Sequence, residues 1–576
     1  MLDNDLYTHF LQEENMAQDN EKIYLFFNGV KYGPCTRDAV RGMALPDGAM
    51  IKEGDGAWTW PQNIPWLDQS STSDISDDVV TDEACQDDDK EEKEACFVVC
   101  PHCWTKFNLE KVNYISSHPN LIGDPKLGEE AQKRFLPTRF DAKGYAIDEM
   151  GLVCQKMACP NCHLEIPESC TQLPTKTFSI VGAPSSGKSY YLTSMIWNIR
   201  KLLSRQFDYS MVDTDENFNG VLNNYEQILF LNSGKQNCVF LPKTELQGSN
   251  YSNQVLINGM TVDFPLPFIF TLSPTQANMF ASENDMWNII LYDNAGEHFE
   301  PGRDQVNNQA TQHLVQAESI VFLYDLLKDS RMKRFCDQND PQLHLQDSSK
   351  NQLVLLNEMI NRIRKYMGLG IKDKCSKPLI VTVPKYDAWR NNFVFDLNDV
   401  EYIHYSESEM RSYLDVGRVV CVSHALREFL FELSPDIVTA CENFFDTVYY
   451  LPVSALGHIP SFENGMIGIK PDDISPVWIE VPMLMQFWLA GLISGCNTLS
   501  KVGEEIANYK FVNNSLIYTL PGERERKVVP LTYCGYTVYS RTLQKFVKLP
   551  AAHESRESES ATPRTASASD DDFWSE

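Results

Sequence analysis

Positive charge is scarce in this chain. Its 576 residues carry 50 Lys and Arg against 79 Asp and Glu, a formal net charge of −29. So few cations cannot neutralise many phosphates, which argues against nonspecific nucleic-acid binding as its activity. Long apolar runs are also missing. The most apolar late segment, Val477–Ile493, has 17 residues and is broken by Glu480, Pro482 and Gln486. That is short of the roughly 20 residues a membrane helix needs, so it reads as a buried helix with no membrane span. The start, MLDNDLYTHFLQEENM, is acidic and lacks the basic flank and apolar stretch of a secretory signal. No internal repeat of solenoid period is present. The expectation is a soluble, cytoplasmic protein. In that compartment the 16 Cys serve as reduced thiols or metal ligands and not as disulfides.

What is present suffices for several cores: 43% hydrophobic residues, with 24 Tyr, 30 Phe and 10 Trp. At about 100–200 residues per domain, the length predicts roughly three or four units. Much of the acidity is local. Asp74–Glu94 is net −9 and Ala551–Glu576 is net −5, together 14 of the 29 excess negative charges. Both segments are poor in apolar residues and cannot offset the entropy of ordering. Residues 69–96 therefore read as an acidic linker and 551–576 as a disordered acidic tail, whose Phe573-Trp574 end is either a partner's handle or simply solvated. Between and around them, residues 21–68 are compact and aromatic, and 97–175 contain two Cys-Pro-x-Cys units. Residues 176–500 alternate apolar strands with helical stretches, and 501–550 carry the strand-like runs Ser515–Leu520 and Val528–Tyr539 about a Pro521-Gly522 turn. The predicted architecture is multidomain: an α/β core with a mostly parallel sheet, a small α+β module and a cysteine-knuckle segment.

The strongest motif is Gly182-Ala-Pro-Ser185-Ser186-Gly187-Lys188-Ser189. It follows the β-rich run Phe178–Gly182 and precedes Tyr190–Leu203, where Leu192, Met195, Ile196, Ile199 and Leu203 mark one helical face. Strand, Gly-rich loop and helix form a phosphate-binding loop. Its backbone N–H groups curl round phosphates, and the helix N-terminus adds partial positive charge. Lys188 is expected to reach the β- and γ-phosphates and Ser189 to ligate Mg²⁺. A second strand, Trp287–Tyr292, delivers Asp293 to its end for a second Mg²⁺ contact, with Gly296 offering its N–H to the γ-phosphate. Further strands end at Asp325, at Pro384-Lys385-Tyr386-Asp387 and at Ser454-Ala455-Leu456. An amphipathic helix through Leu353, Leu356, Ile360, Ile363 and Met367 falls between the first two.

Cys100-Pro-His-Cys103 and Cys159-Pro-Asn-Cys162 each turn two thiolates toward one point, and four thiolates suit a closed structural Zn²⁺ site. The 56-residue step from Cys103 to Cys159 exceeds the usual spacing, so the stretch between must form its own loop or small domain. Redox thiols are the rival reading, although the thioredoxin-like βαβ setting they need is not evident. Cys154 stands as a substitute ligand or a core thiol.

The order of phosphate loop, Asp-x-x-Gly, Lys-x-Asp and Ser-Ala resembles the Ras-like GTPases of the translation-factor-related class. By that resemblance Asp387 pairs with the guanine N1 and N2 groups, Lys385 packs along the base, and Ser454 and Ala455 complete the base pocket. Pro384 stands where the class has Asn or Thr, removing a side chain that ties the base loop to the phosphate loop. Glu297 stands where it has a water-orienting Gln, and is either a catalytic group or a surface residue. Thr244 is the candidate switch Thr for Mg²⁺. Tyr292–Glu297, Leu323-Tyr-Asp325 and the cysteine region together resemble the double-GTPase group of bacterial TRAFAC-clade GTPases, over roughly residues 97–500. That group is associated with conflict and defence systems. A second GTPase or an oligomer would have to supply the other nucleotide site.

Ile23–Pro34 followed by Ala57-Trp-Thr-Trp60 resembles the bacterial GYF-2-type adaptor module, which implies a protein partner. Tyr24, Tyr32, Trp58 and Trp60 are candidates for its groove or its core. The readings left open by the sequence are a GTP-hydrolysing switch with an adaptor, a nucleotide-holding scaffold without turnover, and an ATPase or kinase on the same core.

Overall fold

The computed structural model describes residues 23–27, 30–35, 40, 50–53 and 97–552, apart from 216, 232–237, 243–251, 258, 279–280, 283–284, 294–311, 345–351, 464–465 and 524. The chain divides into two units, Met1–Glu91 and Glu92–Glu576. In the first, three antiparallel strands run in the order Val30–Cys35, Ile23–Phe27, Met50–Glu53, with Ile23, Val40 and Ile51 buried. Tyr24 pairs with Lys52 and Tyr32 with Leu25 through the backbone, while Trp58 and Trp60 lie outside the described residues.

The second unit is built round a seven-stranded sheet: β1 (Thr175–Gly182), β2 (Tyr209–Asp213), β3 (Phe268–Pro274), β4 (Trp287–Asp293), β5 (Ser319–Leu323), β6 (Leu379–Val383) and β7 (Val448–Pro452). The spatial order is β2-β3-β4-β1-β5-β6-β7. The five strands from β4 to β7 are parallel, and β2 and β3 add an antiparallel edge. The expected mostly parallel sheet is thus present, with an antiparallel extension that the sequence pattern did not announce. β5, β6 and β7 are buried at every position, because helices and the C-terminal segment cover both faces. The central β1 has β4 on one side and β5 on the other, so chain order reverses at its carboxyl end, where ligands of open α/β sheets bind.

Helix α1 (Lys188–Leu202) starts two residues earlier than the expected Tyr190 and runs on as a wider turn to Phe207. Then come α2 (Gln352–Met367), α3 (Val416–Leu433), α4 (Pro435–Phe444) and α5 (Val481–Leu489). On α2 the residues Leu356, Ile360 and Ile363 are buried, as the spacing requires. The apolar run Val477–Ile493 supplies α5, buried from Val481 to Phe487, with Pro482 in its first turn where its missing N–H is harmless. No helix among the described residues is long and apolar enough to cross a membrane.

Between the two cysteine pairs, the chain forms hairpins at Ile122–Gln132 and Ala146–Cys154, and the strands Asn113–Ile115 and Met157–Ala158 join a four-stranded sheet whose edge, Glu165–Ile166, follows Cys162. A hairpin from much later in the chain, Ser252–Pro265, contributes Val255, Val262 and Phe264 to the same small core. In the C-terminal segment the run Val528–Tyr539 is two strands and not one: Pro530 ends the first, and a short turn at Leu531–Tyr533 precedes Thr537–Ser540. Ile506, Leu516, Tyr533, Val538 and Leu549 from this segment share the main hydrophobic core.

Candidate functional site

The loop after β1 closes on β5. A Cβ on Gly182 would lie 2.9 Å from Leu323 Cβ and 3.1 Å from Ser186 Oγ, so only glycine fits. Ser185 and Gly187 both take left-handed backbone, at φ 57° and 87°, and Gly187 leads directly into α1. Ser186 Oγ is buried with no hydrogen-bond partner among the described residues, and Ser189 lies in the first turn of α1. Lys188 Nζ is 2.8 Å from Asp293 Oδ1, so the ammonium after the loop and the carboxylate ending β4 face each other across the end of the sheet.

A cleft opens beside this loop. Ser186 and Gly187 line it with Lys385, Asp387 and Ala455, so loops following β1, β6 and β7 converge on one space. Ser454 is fully buried; its backbone N–H and carbonyl both bond to Val477 at 2.9 Å, and its hydroxyl donates to Asp387 Oδ1. Burial pushes the Asp387 carboxyl up to about 6, against the opposing Ser454 hydrogen bond. Lys385, left-handed at φ 59°, aims Nζ at Asp325 Oδ2, 2.7 Å away. Asp340 is fully buried, and burial raises its pKa while Lys385 partly offsets the effect. Gly296, Glu297 and Thr244 lie outside the described residues.

Three participants carry no sequence signal of the contacts they make here. Asp325 was legible as the residue closing Leu323-Tyr-Asp325, but not as the partner of Lys385. Lys328 donates to the Pro184 carbonyl at 2.7 Å, bracing the phosphate loop, and Gln342 lines the cleft from a short helical turn.

The four cysteines form the second cluster. All four Sγ atoms lie within 4.8 Å of one another, with Cys100 to Cys162 at 3.7 Å and Cys103 to Cys159 at 3.6 Å. Four sulfurs about 2.3 Å from a tetrahedral Zn²⁺ would stand about 3.75 Å apart, so the donor set fits that ion. The two turns repeat each other. In each, the first cysteine's N–H bonds to the carbonyl five residues on (Thr105, Leu164), and its carbonyl accepts from Trp104 or His163, both left-handed. The N–H groups of His102 and Asn161 point at Cys100 and Cys159 Sγ at 3.4 and 3.3 Å, the donors that thiolates attract. Cys154 stands apart, with its Sγ 3.8 Å from Asp148 Oδ2.

No protein-family model matches the sequence. A putative ESX-1 scaffolding and assembly protein, SaeC, of Mycolicibacterium smegmatis is 24% identical over 262 residues, 42% of this chain. The match spans 59% of that relative's length. Among solved structures, the Saccharomyces cerevisiae Ski7 GTPase-like domain bound to GTP aligns with TM-score 0.24 and 13% identity, over 66% of this chain and 62% of that one. Sup35 complexed with GDP aligns with TM-score 0.20 and 10% identity, over 60% and 51%.

Proposed function

We propose that the chain is a GTP-binding, GTP-hydrolysing switch. The observation that carries this reading is the convergence of Ser186, Gly187, Lys385, Asp387 and Ala455 on one cleft. Backbone N–H groups of Gly182–Ser189 take the phosphates, and Lys188 turns from Asp293 to the β- and γ-oxygens. Ser189 and Asp293 would hold Mg²⁺, with Thr244 as a further ligand; the ion supplies charge neutralisation at the phosphates. The unpaired Ser186 hydroxyl is a ready donor to a phosphate oxygen. Asp387, held in place by Ser454, accepts from the guanine N1 and N2 groups, and an adenine would deny it both of those donors. Gly296 and Glu297 act at the γ-phosphate. Zn²⁺ at Cys100, Cys103, Cys159 and Cys162 is structural. The GYF-2-like module recruits a protein partner in the cytoplasm, and the resemblance to the double-GTPase group suggests a bacterial defence setting with a second GTPase.

A second reading, a nucleotide-dependent scaffold without turnover, draws support from the relative named as a scaffolding and assembly protein. Calorimetry with GTP and ATP, followed by single-turnover hydrolysis with and without Lys188→Ala, separates these readings and the ATPase alternative. Equal affinity for ATP and GTP would overturn the guanine assignment, and tight GTP binding without hydrolysis would favour the scaffold.

A further inference from the structure

The first cysteine turn and the phosphate site meet at Tyr292. Trp104 Nε1–H donates to Tyr292 Oη at 3.1 Å, and the Tyr292 hydroxyl donates to the Pro101 carbonyl. Pro101 lies between Cys100 and Cys103, and Trp104 follows Cys103 directly. The Tyr292 ring is buried and stacks on His313 with centroids 4.7 Å apart. Trp104 packs on both rings at 6.1 and 6.2 Å, and the His102 ring stacks on Phe218 at 6.0 Å. Side chains alternate across β4. Ile290 and Tyr292 therefore sit in the cluster under the cysteine turn, while Ile289 and Leu291 face the main core. Asp293, the next residue, presents its carboxylate to Lys188.

Trp104 owes its place to the turn itself. Its left-handed φ of 57° and its N–H bond to the Cys100 carbonyl, at 3.0 Å, belong to the same turn that brings Cys100 and Cys103 together. Four thiolates repel one another, and a cation between them removes that repulsion and ties the turn down.

We propose that the metal-held cysteine turn positions Asp293 through Tyr292, so that Zn²⁺ at the cysteines and Mg²⁺-dependent nucleotide binding at the phosphate loop are coupled. The proposal rests on the nucleotide reading above. Tyr292 and Trp104 are positioning residues: they touch neither nucleotide nor Mg²⁺, and fix the strand end that does. Because such coupling is reciprocal, nucleotide must also hold the zinc.

The test uses the full chain with zinc loaded, and measures its zinc affinity at equilibrium against a colorimetric chelator. Saturating Mg²⁺ and GTP together should tighten that affinity about fivefold or more, the lower range of ordinary coupling. GTP in Mg²⁺-free buffer should tighten it far less. Tyr292→Phe removes only the hydroxyl, and Trp104→Phe keeps an aromatic ring. Both should retain one zinc per chain but lose most of the tightening. If the untreated protein binds no GTP, the nucleotide reading fails and takes the coupling with it. If GTP binds but wild-type zinc affinity is unchanged, the coupling is overturned and the nucleotide reading stands. Full tightening in both variants would remove Tyr292 as the link.

Discussion

Lys385 Nζ lies 2.7 Å from Oδ2 of Asp325, a carboxylate with no solvent exposure. The other Asp325 oxygen accepts the Leu327 N–H at 3.0 Å, and the Gln352 amide brackets the Asp325 backbone with two bonds of 2.9 Å. The stem of Lys385 runs along the phosphate loop: a Cβ on Gly187 would stand 3.7 Å from Lys385 Cε. The Pro384 ring has no polar atom with which to tie its loop to the Gly182–Ser189 loop. The Asp325–Lys385 pair and the Lys328 bond to Pro184 do that work instead.

Asp325→Ala should therefore be costly. It leaves a largely buried ammonium without its partner and removes a cap, and breaking a buried pair costs about 3–5 kcal/mol. Lys385 keeps 15% exposure and so reaches some water, which places the expectation near the lower end. Urea unfolding of the variant should show this loss together with weakened GTP binding. A loss below about 1 kcal/mol would mean that the pair is not a structural tie.

Asp387 makes a pH prediction. Its carboxyl is raised to about 6 in the fold, mainly by burial, from 3.8. The folded state therefore holds the proton more tightly than the unfolded state between these values, so this group's contribution is full below about 4 and is lost as pH rises through about 6. Relative to Asp387→Asn, the wild type should lose stability between about pH 4 and 6, with a constant difference above. GTP binding should run the other way. A guanine needs the ionised carboxylate, so affinity should fall by up to about tenfold per pH unit below 6, and Asp387→Asn should be flat there and favour xanthine nucleotides. Parallel affinity profiles for the two proteins would count against Asp387 as the base reader.

The parts of this arrangement that were legible in the sequence are those made by consecutive residues. Gly182–Ser189 needs a strand, glycines and a helix in a row, and fully buried strands such as Leu379–Val383 are apolar at every position but Thr382. The cysteine pairs announce themselves by local spacing, even across a long gap. What stayed hidden depends on distant partners. The Ser252–Pro265 hairpin joins the cysteine core although it starts 90 residues after Cys162, and nothing in its own period says so. Gln342 sits in a turn without a motif. Asp325 differs from any strand-end acid only through Lys385, 60 residues on. The run Val528–Tyr539 reads as one strand because its apolar period survives the break at Pro530.

Freshly purified protein should contain one zinc per chain. The four sulfurs all lie within 4.8 Å of one another, and a structural zinc of this type contributes on the order of 10 kcal/mol to its segment. Cys103→Ser should abolish stoichiometric zinc by elemental analysis and expose the small core of Val98, Phe107 and Phe264 to proteolysis. Zinc-free wild type with an intact protease pattern would show that thiol packing alone holds the segment.

The pair Lys188–Asp293 leads to the last prediction. At 2.8 Å, with both side chains less than a tenth exposed, each is the other's counter-charge in this structure. Phosphate and Mg²⁺ compete for the two partners: phosphates draw Lys188 away from Asp293, and the cation draws Asp293 away from Lys188. Without Mg²⁺, a bound nucleotide leaves the Asp293 carboxylate uncompensated beside the phosphates, a repulsion that Asp293→Asn removes. That variant should bind GTP at least as tightly as wild type in Mg²⁺-free buffer, yet gain little affinity when Mg²⁺ is added. Lys188→Ala should weaken binding in both buffers by about 10–100-fold, the worth of one hydrogen bond to a charged group. Titrations of the three proteins with a fluorescent GTP analogue, with and without Mg²⁺, distinguish the two roles. An Asp293→Asn protein with the full wild-type response to Mg²⁺ would remove Asp293 from the metal site and leave it only as the resting partner of Lys188.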